Sequence, residues 1–445
     1  MNKGKGLRMR LGVLYFLQFG IWGCYLTCLG QLLGAGGLGK DIAWFYAAVG
    51  FVSLVIPALA GHIADRYLPA SRMLGLCHLG GAAALFALWL YAGSHEQLSF
   101  GPFFAMYVVF LCCYMPTLAL INTVCFGMLK HEGIEPVDAF GSIRIWGTAG
   151  FVAAMWFVNS AYWHDGVFGF TLDEGSAMAP FRFQYNRMQL FAAMVVAMVT
   201  VLYTFTLPRL ELARNGGRGW RALFGLQGIG LLRYGYVRVF LCLAVLGGVC
   251  LQITNGFATP FITHFRGVAE YAGNAASGNA TMLFSLSQIS EALFVLAVGW
   301  CMKRRGIKFV LVTAMAAWCL RFALFAFGNP GDGLWMLIGS MVVYGVAFNF
   351  FTIAGHLYMD QITDSRHRGL GQGLMMLMSN GIGASVGTLI AGVVVNHYCR
   401  WEMVDTTTGP ARLFMGDWGM AWGIFASYAA VVCLLYLFVF KPKKI

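Results

Sequence analysis

The sequence is short of charge. Asp, Glu, Lys and Arg make up 11% of its 445 residues, while 59% are hydrophobic. A soluble globular domain carries roughly 25% charged residues. Thirty basic and 18 acidic side chains cannot cover a soluble surface for a chain this long, so an assembly of soluble domains is excluded. Proline is scarce, at 11, and with aromatics at 15% this excludes disordered and collagen-like chains. The twelve cysteines include no C-x-x-C spacing, which removes metal ribbons and dithiol redox chemistry. Most lie inside apolar runs (Cys24, Cys28, Cys112, Cys113, Cys242 and Cys250) and read as small buried hydrophobes. A short signal-peptide core is missing too. The first apolar run is long and Gly-rich, and reads as a first spanning helix.

What is present is a series of long apolar runs, the mark of a multi-pass membrane protein. A hydrocarbon core of about 30 Å needs about 20 helical residues. By that ruler there are twelve spans, at about 11–33, 43–62, 72–93, 101–129, 140–162, 188–207, 237–264, 281–301, 309–328, 334–359, 370–396 and 417–440. Barrel strands would alternate apolar and polar residues, and these runs do not. The expected class is therefore all-α.

The net charge of +12 does not point to nucleic acid, because the cations cluster between apolar runs, as in loops facing anionic lipid. With both termini inside, the inner connections hold 22 Lys and Arg and the outer ones six; Arg144 and Arg321 fall within spans. That bias predicts cytoplasmic termini.

The chain divides into an N-terminal six-helix bundle (1–207), a basic, Gly-rich cytoplasmic linker (208–236) and a C-terminal six-helix bundle (237–445). Each half has a charged link after its second span. These are Gly61-His-Ile-Ala-Asp65-Arg66, assigned a gating role, and Lys303-Arg-Arg-Gly306-Ile-Lys308. Matched halves imply a duplicated transporter with its substrate site at mid-membrane.

Ionisable groups at that depth cost about 2.5–3.5 kcal/mol on insertion scales and are functional candidates by default. Among the 18 acids, Glu291 stands near the middle of its span, with Gln288 three residues earlier on the same face. Desolvation disfavours its charged form, which suits it to exchange a proton; the alternative is a structural ion pair with Arg144 or Arg321. The seventh span carries Gln252 and Asn255, a donor-and-acceptor pair suited to a neutral polar ligand or to joining helices. Arg144, Thr148 and Phe151 share a face of the fifth span, with snorkelling of Arg144 to the inner surface as the alternative. Tyr344, Phe348 and Thr352 form a stripe on the tenth, with Asn349 beside them and His356 continuing it. Such a stripe can stack a flat ring, though stripes of this kind also serve packing alone. His356 reads as a satisfied interior histidine. Arg321 either balances Glu291 or carries structural hydrogen bonds.

Two motifs are set aside. Gly34-Ala-Gly-Gly-Leu-Gly39-Lys40 resembles a phosphate-binding loop, but Asp41 replaces the Ser or Thr that would hold magnesium. Gly383-Ala-Ser-Val-Gly387 is a helix-packing motif. No cofactor or metal is expected, and no catalytic residue.

Several segments carry a resemblance along nearly the whole chain: Phe16-Leu-Gln-Phe-Gly-Ile-Trp-Gly-Cys-Tyr-Leu-Thr27, Tyr114-Met-Pro-Thr-Leu-Ala-Leu-Ile-Asn122-Thr, Ile143-Arg-Ile-Trp-Gly-Thr148, Leu251-Gln-Ile-Thr-Asn255, Ser287-Gln-Ile-Ser-Glu291, Leu320-Arg-Phe-Ala-Leu-Phe325 and Tyr344-Gly-Val-Ala-Phe348. In these the sequence resembles the nucleoside:proton symporters of the major facilitator superfamily, inner-membrane permeases of bacteria. The resemblance implies proton-driven nucleoside uptake, with a nucleoside, a proton and the bilayer as partners and a monomeric state. It implies substrate contacts from Arg144, Thr148, Phe151, Gln252, Asn255, Gln288, Glu291, Tyr344 and Phe348. Well-known members carry an aspartate after that phenylalanine, whereas this chain has Asn349, an amide that can hold a hydroxyl but not carry a proton. Coupling would then rest on Glu291. The alternatives are an uncoupled facilitator, a carrier of another neutral solute such as a sugar, and a membrane sensor built around His131-Glu132-Gly-Ile-Glu135-Pro-Val-Asp138.

Overall fold

The computed structural model of the chain describes residues 2–207, 231–363 and 368–442, without the side chains of 2–4, 58, 61–66, 136–138 and 368–370. The side chains of Gly61, Asp65 and Arg66, and linker residues 208–230, thus lie outside the described residues.

Nearly every apolar run is helical, because in lipid a helix satisfies its own backbone groups. The first span is Asn2–Tyr25, continued by Leu29–Ala35; Ile42–Arg66, Ala70–Ser94, Phe100–His131, Pro136–Ser160 and Met188–Thr204 follow. The seventh comes as Gly235–Gly248 and Cys250–His264, a break that the sequence reading placed inside one segment. The eighth and ninth lie in Ala280–Phe327 on either side of Gly306, which is non-helical at φ 77°, ψ 171°. Only glycine adopts that backbone conformation readily, so the two spans part there. Leu334–Ile362 is the tenth. The eleventh runs from Arg368 through a π-helical turn, Leu377–Gly383, to Tyr398, and the twelfth is Trp418–Phe438.

Among the described residues nine helices are long and apolar enough to cross a membrane. The split at Gly306, the shorter Met188–Thr204 and the Arg144-bearing fifth helix bring the spans to twelve.

Two antiparallel hairpins stand outside the spans, the first taking up Ala161 and Tyr162, which the sequence puts at the end of the fifth span. Ala161–His164 pairs with Val167–Phe170, and Cys399–Thr406 pairs with Gly409–Gly416, with Trp401 opposite Phe414.

The chain forms two compact units. One holds Met1–Leu38, Val52–Leu172 and the stretch from Ala177; the other holds Gly39–Phe51, Asp173–Ser176 and the C-terminal half. In the first, spans one and five approach backbone to backbone. A Cβ on Gly150 would stand 2.0 Å from the Phe16 carbonyl oxygen, and one on Gly23 would stand 2.3 Å from that of Phe151. Small residues permit such contact in lipid, where packing replaces hydrophobic drive. In the second unit, Gly345 closes on Ser290, whose hydroxyl donates to the Val342 carbonyl and accepts from the Gly345 N–H at 3.2 Å. Spans eight and ten are thereby fixed at the level of Glu291. Gly383 and Gly387 let span eleven close on Val245 and Val249 of span seven. The second unit also holds a buried ion pair between Arg266 and Glu174, two residues of the connections between spans.

Candidate functional site

In the second unit, four spans place polar groups on one another in a defined order. Asn255 Nδ2 donates to Gln252 Oε1 at 2.6 Å, so the two amides brace each other. Gln252 Nε2 and Asn255 Oδ1, one donor and one acceptor, keep no partner among the described residues. Gln288 is half-buried and also makes no hydrogen bond there. Unpaired amides in a spanning helix carry a desolvation cost unless a ligand or water meets them.

Glu291 is half-buried, eleven residues beyond Ala280. That is about 16 Å along the helix, near half of a hydrocarbon core of about 30 Å. Asn349 Nδ2 donates to the Glu291 carbonyl oxygen at 2.6 Å, which ties span ten to span eight beside the carboxylate. Asn349 is buried and faces its neighbour's backbone. Tyr344 and Phe348 stack at 5.4 Å and 28°. Trp318 meets Tyr344 edge-on at 5.8 Å. Phe348 remains half-buried, so this stack still presents aromatic surface. Thr352 turns its hydroxyl back to the Phe348 carbonyl at 2.8 Å, and the ligand role read for it from sequence loses its free donor.

The question of Arg321 is answered by its hydrogen bonds. It is fully buried, donating to the Ser340 carbonyl at 2.8 Å and to Ser287 Oγ at 3.3 Å, with its guanidinium 4.5 Å from the Tyr344 ring centre. Phe284, Phe325 and Trp318 offer further rings within 6.0 Å. The cation is held by π faces and serine oxygens. The expected alternative, direct balance of Glu291, is not what the side chain does. His356 pairs with Gln372 in both directions, through its ring at 2.6 Å and its carbonyl at 2.7 Å, joining spans ten and eleven.

In the first unit, Arg144 stands eight residues beyond Pro136, about 12 Å into the fifth span. This is deeper than the sequence reading had it, because the helix starts earlier. The guanidinium lies over Phe19 of span one, 4.1 Å from the ring centre, instead of extending to the surface. Thr148 is half-buried on the next turn, and Phe151 is buried where spans one and five touch. Sequence reasoning missed the neighbouring network. Gln18 donates to Thr117 at 2.6 Å, its carbonyl side-chain oxygen meets His78 at 2.8 Å, and its backbone carbonyl accepts from Tyr114 at 2.7 Å. Gln18 and His78 were visible as polar residues in apolar runs; only their meeting was not.

The rejected phosphate-loop motif is a turn packed on protein. Its Gly39 lies against the Trp401 indole, where a Cβ would come within 2.0 Å.

A family model described as Nucleoside H+ symporter matches residues 5–445. The chain belongs to the nucleoside H+ symporter family. It is 34% identical to the nucleoside permease NupG of Escherichia coli over 446 residues, covering 99% of this chain and 97% of that protein. It is likewise 34% identical over 447 residues to the xanthosine permease of E. coli, covering 99% of this chain and 98% of that one. The crystal structure of NupG superimposes with a TM-score of 0.83 at 34% identity, covering 100% of both chains. The fold is thus the all-α, twelve-helix major facilitator fold, and the chain is a multi-pass membrane transporter, not an enzyme. Within this family the polar and aromatic groups described above are the candidate ligands of the transported solute.

Proposed function

We propose that the protein takes up nucleosides across the bacterial cytoplasmic membrane by alternating access, driven by protons entering with them, with both termini in the cytoplasm. Beyond family membership, one observation carries this reading. On spans seven, eight and ten, half-buried amides that keep open donor and acceptor atoms among the described residues stand with a mid-span carboxyl and a stacked aromatic pair. A nucleoside asks for those groups: aromatic faces for the base, and donors and acceptors for its edge and for the ribose hydroxyls. Gln252, Asn255, Gln288 and Glu291 supply the polar contacts, Tyr344 and Phe348 the stacking surface, and Arg144, Thr148 and Phe151 the contribution of the first half. Glu291 carries the proton, taking it from outside and releasing it to the cytoplasm once the halves rock.

One proton crossing about 100 mV supplies about 2.3 kcal/mol, worth roughly fifty-fold accumulation. The test is uridine uptake into proteoliposomes with and without an imposed pH gradient. Stimulation by inward acidification is expected; uptake that only equilibrates would rule out symport. One observation favours that second reading, an uncoupled facilitator. Where well-known members place an aspartate, this chain has Asn349, whose amide is committed to the Glu291 backbone.

A further inference from the structure

The first unit has a groove of about 420 Å³ between spans three and six. Its walls are apolar, including Leu76, Leu79 and Phe205, and all three are largely exposed. Its polar end is made by Ser71 and Arg72, in the first turn of span three. Ser71 is only 5% exposed, yet its hydroxyl has no hydrogen bond among the described residues. Arg72 is exposed and has no carboxylate partner among them. Thr204 turns its proton to the Val201 carbonyl at 2.6 Å, leaving its oxygen free to accept. From Ser71 to Leu79 the helix rises about 12 Å, most of the roughly 15 Å depth of one hydrocarbon leaflet. One end offers a cation, a buried hydroxyl and the positive end of a helix dipole; the rest offers hydrocarbon to hydrocarbon.

We propose that this groove is a binding site for an anionic phospholipid. The phosphate sits on Arg72 and Ser71, and one acyl chain runs along Leu76 and Leu79 beside Phe205. The proposed orientation makes it a lipid of the cytoplasmic leaflet; the site itself does not depend on the transported solute. Charge complementarity selects the occupant, since a cation without a carboxylate partner among the described residues, at headgroup depth, attracts anionic lipid over zwitterionic lipid.

The experiment follows lipid retention by native mass spectrometry of the full-length protein, titrated with phosphatidylglycerol or with phosphatidylcholine. Phosphatidylglycerol should bind more tightly. Arg72→Gln should weaken it about five-fold, the effect of one cation near an anionic surface, without weakening phosphatidylcholine. Leu79→Trp, which fills the apolar end, should reduce retention of the anionic lipid while Arg72 is intact. Arg304→Gln, a loop cation outside the groove, should change nothing. Equal retention of the two lipids, or an Arg72→Gln protein that keeps full preference, overturns the proposal. So does complete displacement by inorganic phosphate combined with indifference to Leu79→Trp, which would make the site one for free phosphate. Nucleoside uptake is read separately, so failure here leaves the transport reading untouched.

Discussion

Arg144 and Arg321 both lie inside spanning helices, and their surroundings give them opposite roles. Arg144 is half-buried with its guanidinium over the Phe19 ring, at 4.1 Å. Arg321 is completely buried, enclosed by rings and bonded to Ser287 and the Ser340 carbonyl. A cation at mid-span is expensive wherever it sits. The protein offsets that cost for Arg321 within one bundle, and the result is a rigid support behind Tyr344. Arg144 is less deeply enclosed, half-buried where Arg321 is completely buried. The same residue type, flagged by the same hydropathy argument, is structural in one case and a candidate ligand in the other.

The sharpest way to break this contrast is to truncate both. Arg321→Ala removes a fully packed side chain together with its bonds to the Ser340 carbonyl and Ser287. The cavity and the lost hydrogen bonds together should cost about 3 kcal/mol of stability. A clear drop in the melting temperature of purified protein is expected, whereas Arg144→Ala, which removes a half-buried side chain, should lower it less and suppress uptake. Comparable destabilisation by both would erase the distinction.

Next in size is the acid that shares Tyr344 with Arg321. Tyr344 lies within electrostatic reach of both Glu291 and Arg321. Glu291→Gln preserves shape and hydrogen bonding but removes the ionisable proton. Gradient-driven accumulation should fall from as much as roughly fifty-fold to unity, while exchange of labelled for unlabelled uridine continues. Retained accumulation would move the proton to another group. A third experiment sharpens the role of Arg144 itself. Arg144→Lys keeps the charge but loses the planar face over Phe19, and uptake should drop about ten-fold if stacked geometry matters more than charge. Uptake near the original rate would reduce Arg144 to a point charge.

Most of the fold was legible because the membrane leaves few choices. Apolar runs of about 20 residues have to be helices, and the link at Lys303-Arg-Arg-Gly306 contains the one backbone conformation that parts two of them. The hairpin Cys399–Gly416 was legible in principle. Trp401, Val404 and Thr406 are half-buried among exposed neighbours, and Thr408 leads into Gly409 at φ 114°. A ruler tuned to long apolar runs passed over it. At the site, three-residue spacing located Gln252 with Asn255 and Gln288 with Glu291, since one helix face is a local property. The bonds of Arg321 and the pairing of Gln18 with His78 were out of reach. They depend on which helices meet, and no spacing within one span encodes that.

The smallest effect tests the contact that a local reading could not supply. Asn349 stands where the family resemblance leads one to expect an aspartate, and its amide reaches the backbone of Glu291. If that bond positions the carboxyl, Asn349→Ala should weaken nucleoside binding about five-fold, the effect of one hydrogen bond worth about 1 kcal/mol. Affinity measured by calorimetry would show it, with the melting temperature little altered. Asn349→Asp is the discriminating partner, because an ionised carboxylate cannot donate to the Glu291 carbonyl while a protonated one can. Binding by the aspartate variant should therefore match the parent at acidic pH and decline as pH rises through the titration of the new acid. A flat profile would mean that this side chain does nothing for Glu291 beyond filling space.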